Sequence, residues 1–127
     1  MLAEWRGETM ATHAHVVVDA EHAALLDLIE PRLHDWNRRW SRFRPDSEIS
    51  ALNTGNGAVV VSPDTAVLLA LAVDAWRFTD GRFDPTVHDA VVAAGYDRPF
   101  RDGPGPASDP RPVPGVEGVS IDRKSVV

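Results

Sequence analysis

What most constrains this chain is a proline-started, glycine-stopped helix set between two polar clusters. Ser62-Pro63-Asp64 supplies a capping hydroxyl, a proline at the first helical position and an acid facing the positive end of the helix dipole. Apolar residues continue to about Phe78; the predicted buried face is Val67, Leu68, Leu71, Ala72, Ala75 and Trp76, and Gly81 is predicted to end the helix. Before it stands Ser-Arg-Phe-Arg-Pro-Asp-Ser-Glu-Ile-Ser-Ala-Leu-Asn at 41–53, and after it Thr-Asp-Gly-Arg-Phe-Asp-Pro-Thr at 79–86. Each cluster sets turn-forming residues beside an arginine and an aromatic, groups that hold an anion and stack on a flat ring. That combination suits a nucleotide.

The rest of the chain can be placed around this helix. Residues 9–19 are β-branched and roughly alternating, which predicts a strand ending at Asp19. Asp19 then caps a predicted helix to about residue 41, with Leu25, Leu28, Ile29, Leu33, Trp36 and Trp40 on one face. Pro31 lies inside it and predicts a kink or break near Asp27–Glu30. A short helix follows over 47–53, capped by Asp46 or Ser47, then a short strand at Val59–Val61. Asp84-Pro85-Thr86 repeats the cap-plus-proline device and predicts a helix to about Ala94, stopped by Gly95. The Pro- and Gly-rich segment 97–115 is predicted to be an exposed loop, and 118–127 returns to strand character. That strand pair ends in mid-pattern, so the chain is expected to be the first part of something longer.

Composition narrows the function classes. The 127 residues allow one domain, and 43% hydrophobic with 25% charged residues is ordinary for a globular protein. A net charge of −6 opposes a general nucleic-acid binder, so a nucleotide would be met one ligand at a time. There is no cysteine, which excludes disulfides and thiolate chemistry. The N-terminal residues have acidic groups and no apolar run, which gives an expectation of a cytoplasmic protein.

Individual residues carry two readings. Asp84 is either a helix cap or part of an anion site at a helix start that Gly81 opens to a ligand, with Arg82 pairing a phosphate. Phe43, an aromatic between two arginines, calls for a flat ring to cover it. Asn53 reads better as a helix C-cap than as a ligand group. His13 and His15 share a strand face, a spacing metals use, but no third ligand stands nearby.

Taken in order, Met10-Ala11-Thr12, Ser41 to Asn53, Ser62-Pro63 and Gly81 to Val87 resemble the ApbE family, the FAD:protein FMN transferases. The family pattern has Met-Gly-Thr where this chain has Ala11. The resemblance implies an α+β fold with helices packed on a mixed sheet, residues 1–127 forming the N-terminal part of a single domain. It also implies an enzyme that uses Mg²⁺ to split FAD, attaches FMN to a Thr or Ser hydroxyl of a target flavoprotein and releases AMP. Position by position, Met10, Phe43, Arg82, Phe83 and Asp84 are expected to contact FAD. In the family a later glycine- and lysine-rich segment and an Asp/Thr metal site complete the pocket. Neither precedes Val127, so no metal ligand and no catalytic residue is assigned, a missing C-terminal half is expected, and this length of chain alone is expected to be inactive. Family members are often exported lipoproteins, and no lipobox is seen. The alternative is a non-catalytic flavin-binding or structural α+β module.

Overall fold

The computed structural model describes residues 1–55 and 57–122. They fall into two compact units, Met1–Thr54 and a second that begins at Gly55.

The first unit opens with a β-hairpin. Strands β1 (Leu2–Thr9) and β2 (Thr12–Asp19) pair antiparallel, with Leu2 opposite Asp19 and Thr9 opposite Thr12. Met10 and Ala11 join them at φ 49° and 58°, the left-handed pair that a two-residue hairpin turn demands. The strand predicted from residue 9 therefore starts at Thr12, and β1 is an element the sequence reading did not anticipate. In β1, Ala3, Trp5, Gly7 and Thr9 are half-buried while Glu4, Arg6 and Glu8 are exposed. This pair is the only sheet among the described residues, where the sequence reading has a mixed one.

A left-handed alanine is costly, since its Cβ crowds the following carbonyl by about 1–2 kcal/mol. Ala11→Gly is expected to stabilise the chain by about 1 kcal/mol or less, part of the gain being offset by the greater freedom of glycine in the unfolded chain. Urea unfolding of both chains measures it, and a loss of stability would show that the turn is unstrained.

After Asp19 the chain runs through 3₁₀ geometry over Ala20–Leu28, interrupted at His22, before helix α1 (Ile29–Trp40). The break predicted near Asp27–Glu30 is there. Pro31 lies in the first turn of α1, where a backbone N–H has no intrahelical acceptor and proline costs nothing. The single predicted face divides accordingly. Ile29, Leu33, Trp36 and Trp40 are half-buried in α1, and Trp36 stacks on Trp40 with ring centroids 5.2 Å apart. Leu25 and Leu28 are exposed, because a three-residue repeat lines them up with each other and not with the α1 face. Helix α2 (Glu48–Thr54) completes the unit.

The second unit is built on helix α3 (Pro63–Phe78), whose bounds match the Ser-Pro-Asp start and the predicted end. The Ser62 hydroxyl lies 3.0 Å from the Thr65 hydroxyl and makes no capping bond to a helix N–H. Leu68, Ala72, Ala75 and Trp76 are half-buried as predicted, but Val67 and Leu71 are 56% and 61% exposed. The helix is apolar nearly all round, so its sequence period does not pick one face. Val59–Val61 has no ladder partner and forms no strand. Helix α4 (His88–Ala93) is short. It ends in Gly95 at φ 99°, with Gly95 N–H on the Val92 carbonyl and Tyr96 N–H on the Val91 carbonyl, the paired bonds of a glycine helix stop.

The segment 97–115 is largely exposed and irregular apart from one 3₁₀ turn at Phe100–Asp102. It is nonetheless tied down: Gly105 N–H donates to the Gly95 carbonyl at 2.7 Å and Ser108 N–H to the Ala93 carbonyl at 2.7 Å. Val116–Gly118 is a 3₁₀ turn and Val119–Asp122 is not a strand; residues 123–127 of the predicted pair lie outside the described residues. Among the described residues, Ala66, Ala93 and Val116 are the buried apolar ones, and Thr65 is fully buried. No helix among the described residues is long and apolar enough to cross a membrane.

Candidate functional site

In the second unit the cluster at 79–86 folds into a hydrogen-bonded turn. Asp80 and Gly81 follow α3 at φ 52° and 75°, and Gly81 N–H reaches back to the Trp76 carbonyl at 2.9 Å. Asp80 thus takes the left-handed position just past the helix, one residue before the predicted Gly81 stop. Thr79 braces the turn from inside: its hydroxyl donates to the Ala75 carbonyl at 2.8 Å and accepts from Phe83 N–H at 2.9 Å. Arg82 N–H donates to the Thr79 carbonyl at 3.3 Å. The Asp84 N–H makes no hydrogen bond among the described residues.

Asp84 is the centre of a small network. One carboxylate oxygen accepts from Thr86 N–H at 2.8 Å and from the Thr86 hydroxyl; the other accepts from the Trp76 indole N–H at 3.3 Å. The Thr86 hydroxyl in turn accepts from Gly115 N–H at 3.0 Å. Hydrogen bonds from Thr86, then from Trp76, hold the Asp84 carboxyl below its usual value. A carboxylate offers about four lone-pair sites, and three are filled.

This geometry corrects the helix-start reading of Asp84. The first helical residue is His88, with Val87 before it and no side-chain cap. Asp84 closes an Asx turn on Thr86, and because Thr86 is also tied to Gly115, the backbone turns before it coils. Arg82–Asp84 therefore does not stand at the start of a helix. The turn still presents the Arg82 guanidinium, which has no ion-pair partner among the described residues, and the half-exposed ring of Phe83.

In the first unit, the loop 41–47 is drawn onto α2 by two serines. Ser47, which is buried, caps α2 by accepting from Ser50 N–H at 3.0 Å, deciding the choice left open between Asp46 and Ser47. The Ser50 hydroxyl lies 3.2 Å from the Arg42 carbonyl and 2.6 Å from that of Arg44. Arg44 pairs with Asp46 at 3.3 Å. Phe43 is 42% exposed, with the Arg42 guanidinium 4.3 Å from its ring centroid. Met10 is at the hairpin tip and exposed. A cavity of about 180 Å³ between β1 and α1, lined by Trp5, Glu8, Glu30, Leu33, His34 and Asn37, touches none of the predicted contact residues and is too small for a dinucleotide.

His13 and His15 do share the outward face of the hairpin, but each faces a carboxylate across it. His15 Nε2 is 2.8 Å from Glu4 and His13 Nδ1 is 3.3 Å from Glu8. Hydrogen bonds from His15 and Arg6 hold the Glu4 carboxyl below its usual value. No group of three or more His, Asp or Glu side chains among the described residues is arranged to hold a metal.

Sequence reasoning missed Trp76, Thr79 and Ser50 as organisers. Trp76 looked like core. Thr79 and Ser50 carried a readable signal, since a Thr at a helix end and a Ser three residues after a cap both bond local backbone.

The ApbE family model matches residues 10–123. The chain is 31% identical over 135 residues to the FAD:protein FMN transferase of Haemophilus influenzae, covering 91% of this chain and 37% of that protein. Among solved structures, the ApbE protein of Thermotoga maritima matches with a TM-score of 0.66 at 20% identity, over 86% of this chain and 36% of that one. The flavin transferase ApbE of Vibrio cholerae matches with a TM-score of 0.62 at 26% identity, over 90% and 37%. The chain spans a little over a third of the length of the relatives it matches, and it shares their α+β fold over that part.

Proposed function

This chain belongs to the ApbE family, and on that premise we propose that it carries FAD-contacting residues of an FAD:protein FMN transferase, all 127 residues being part of one domain. The observation that carries the reading is the pair of sequence clusters, each of which leaves an aromatic ring at least 40% exposed, Phe43 in one and Phe83 in the other. In the proposed reaction the bond between the FMN phosphorus and the bridging oxygen of FAD breaks. A phosphoester forms to a Thr or Ser hydroxyl of a flavoprotein, the hydroxyl proton is lost and AMP leaves. Phe43 stacks on a ring of FAD, Arg82 meets its phosphates, and the Asp84 N–H and Phe83 ring meet a polar edge and a flat face. Met10 contacts the ligand from the hairpin tip. Mg²⁺ would polarise the phosphoryl oxygens when bound. The described residues do not form a site for it.

Two measurements test the proposal. FAD titration of the chain, with and without Mg²⁺, should show saturable binding; no binding overturns the reading. Incubation with FAD, Mg²⁺ and an acceptor flavoprotein should give covalent flavin fluorescence on a denaturing gel from a protein spanning the full family length, and little from these 127 residues. FAD binding without transfer by the full-length protein identifies a non-catalytic flavin-binding module. Phe43→Ala should weaken FAD binding by about 1–3 kcal/mol, the size of a base–aromatic stack, and leave the melting temperature unchanged. A lower melting temperature with unchanged affinity would make Phe43 a packing residue.

A further inference from the structure

We propose that Arg42 is a positioning residue for the ligand, acting through the ring of Phe43; this rests on the reading of Phe43 as a stacking platform. The guanidinium lies over one face of the ring, 4.3 Å from its centroid. Arg42 is half-buried and Phe43 is 42% exposed, so the guanidinium covers one face of the ring while part of the ring stays open to solvent. The backbone beneath is fixed, since the Arg42 carbonyl lies within hydrogen-bond distance of the Ser50 hydroxyl on α2, and Ser50 is itself tied to the α2 cap Ser47.

A phenyl ring on an exposed loop otherwise turns about two side-chain bonds, and stacking a planar ligand on it costs that freedom. A cation held on one face fixes the ring plane before the ligand arrives, leaving the opposite face for the ligand's ring. Arg42 never touches the ligand in this arrangement. Its contribution is orientation, and the guanidinium suits it because it is planar and charged at any working pH.

The test is FAD titration of the chain as it stands, with Arg42→Ala and Arg42→Lys beside the parent, each checked for an unchanged melting temperature. Arg42→Ala should weaken FAD about two- to fivefold, the worth of an exposed cation–π contact. Arg42→Lys, which keeps the charge, should recover part of the loss. NMR supplies a readout independent of the ligand: the Arg42 Cδ protons should lie upfield in the parent and return to ordinary positions in Phe43→Leu. A parent that fails to bind FAD overturns the proposed function, and this inference with it. A parent that binds, with Arg42→Ala binding equally well, overturns this inference alone. Tighter binding by Arg42→Ala also overturns it, and makes the guanidinium a cover over the ligand's place.

Discussion

Gly95→Ala should destabilise the chain by about 2–4 kcal/mol. Two costs add. Gly95 sits at φ 99°, where a Cβ is strained, and a Cβ built there would collide with the Gly105 carbonyl oxygen. That oxygen belongs to backbone, and it cannot swing aside: Gly105 N–H donates to the Gly95 carbonyl, and Ser108 N–H to Ala93 beside it. Relief requires lifting the proline-rich segment off the end of α4. Gly105→Ala is the control, because the atoms nearest its new Cβ belong to the guanidinium of Arg98, the far end of a flexible side chain whose exposed pair with Asp97 costs little to shift. Urea unfolding of the two variants should separate them by more than about 1 kcal/mol. Equal, small losses would show that the loop is not held against α4.

That contact also shows what a sequence does and does not announce. The glycine stop at residue 95 was legible because a C-terminal glycine meets a purely local need, a left-handed residue after a helix. Its second role, making room for Gly105, depends on where a distant segment lands. The same division runs through the rest of the fold. The bounds of α3 were readable from Ser62-Pro63-Asp64, while its inward face was not, since apolar residues cover most of its surface. Strand β1 escaped notice because its inward positions are Ala3, Trp5, Gly7 and Thr9, only one of them large and apolar, and because Met10-Ala11 is a poor hairpin signal. Among the candidate ligand-contacting residues, Phe43 in the first unit and Arg82, Phe83 and Asp84 in the second stood out as side chains. The groups that orient them did not, since Trp76 and Gly115 reach Asp84 and Thr86 only after the chain has folded.

The second large effect is expected in ligand binding, at Asp84. Asp84→Asn should lower FAD affinity by about tenfold, the factor carried by losing a hydrogen bond to a charged group. The amide oxygen of the substituted side chain can still accept from Thr86, so the Asx turn survives, and the stability lost at neutral pH is the share carried by the ionised carboxylate. Its NH₂ group, however, would face the Trp76 indole N–H, donor against donor, where the carboxylate accepted at 3.3 Å. Adding Trp76→Phe removes that opposing donor. If Asp84 serves by holding the turn in place, the double variant regains most of the affinity; if its charge serves the ligand, affinity stays low. Either result keeps Asp84 in the site, and FAD binding by Asp84→Asn equal to the parent's removes it. Acid unfolding supplies the second measurement. The folded carboxyl titrates below its unfolded value, so in the interval between the two the unfolded chain binds more protons and stability rises with pH. The contribution is therefore whole at neutral pH and is lost as pH falls below about 4, the ordinary aspartate value. Asp84→Asn should flatten that part of the stability profile. If the parent and the variant lose stability in parallel from about pH 5 to about pH 3, the Thr86 and Trp76 bonds do not hold the carboxylate ionised, and the network around Asp84 is not what fixes the turn.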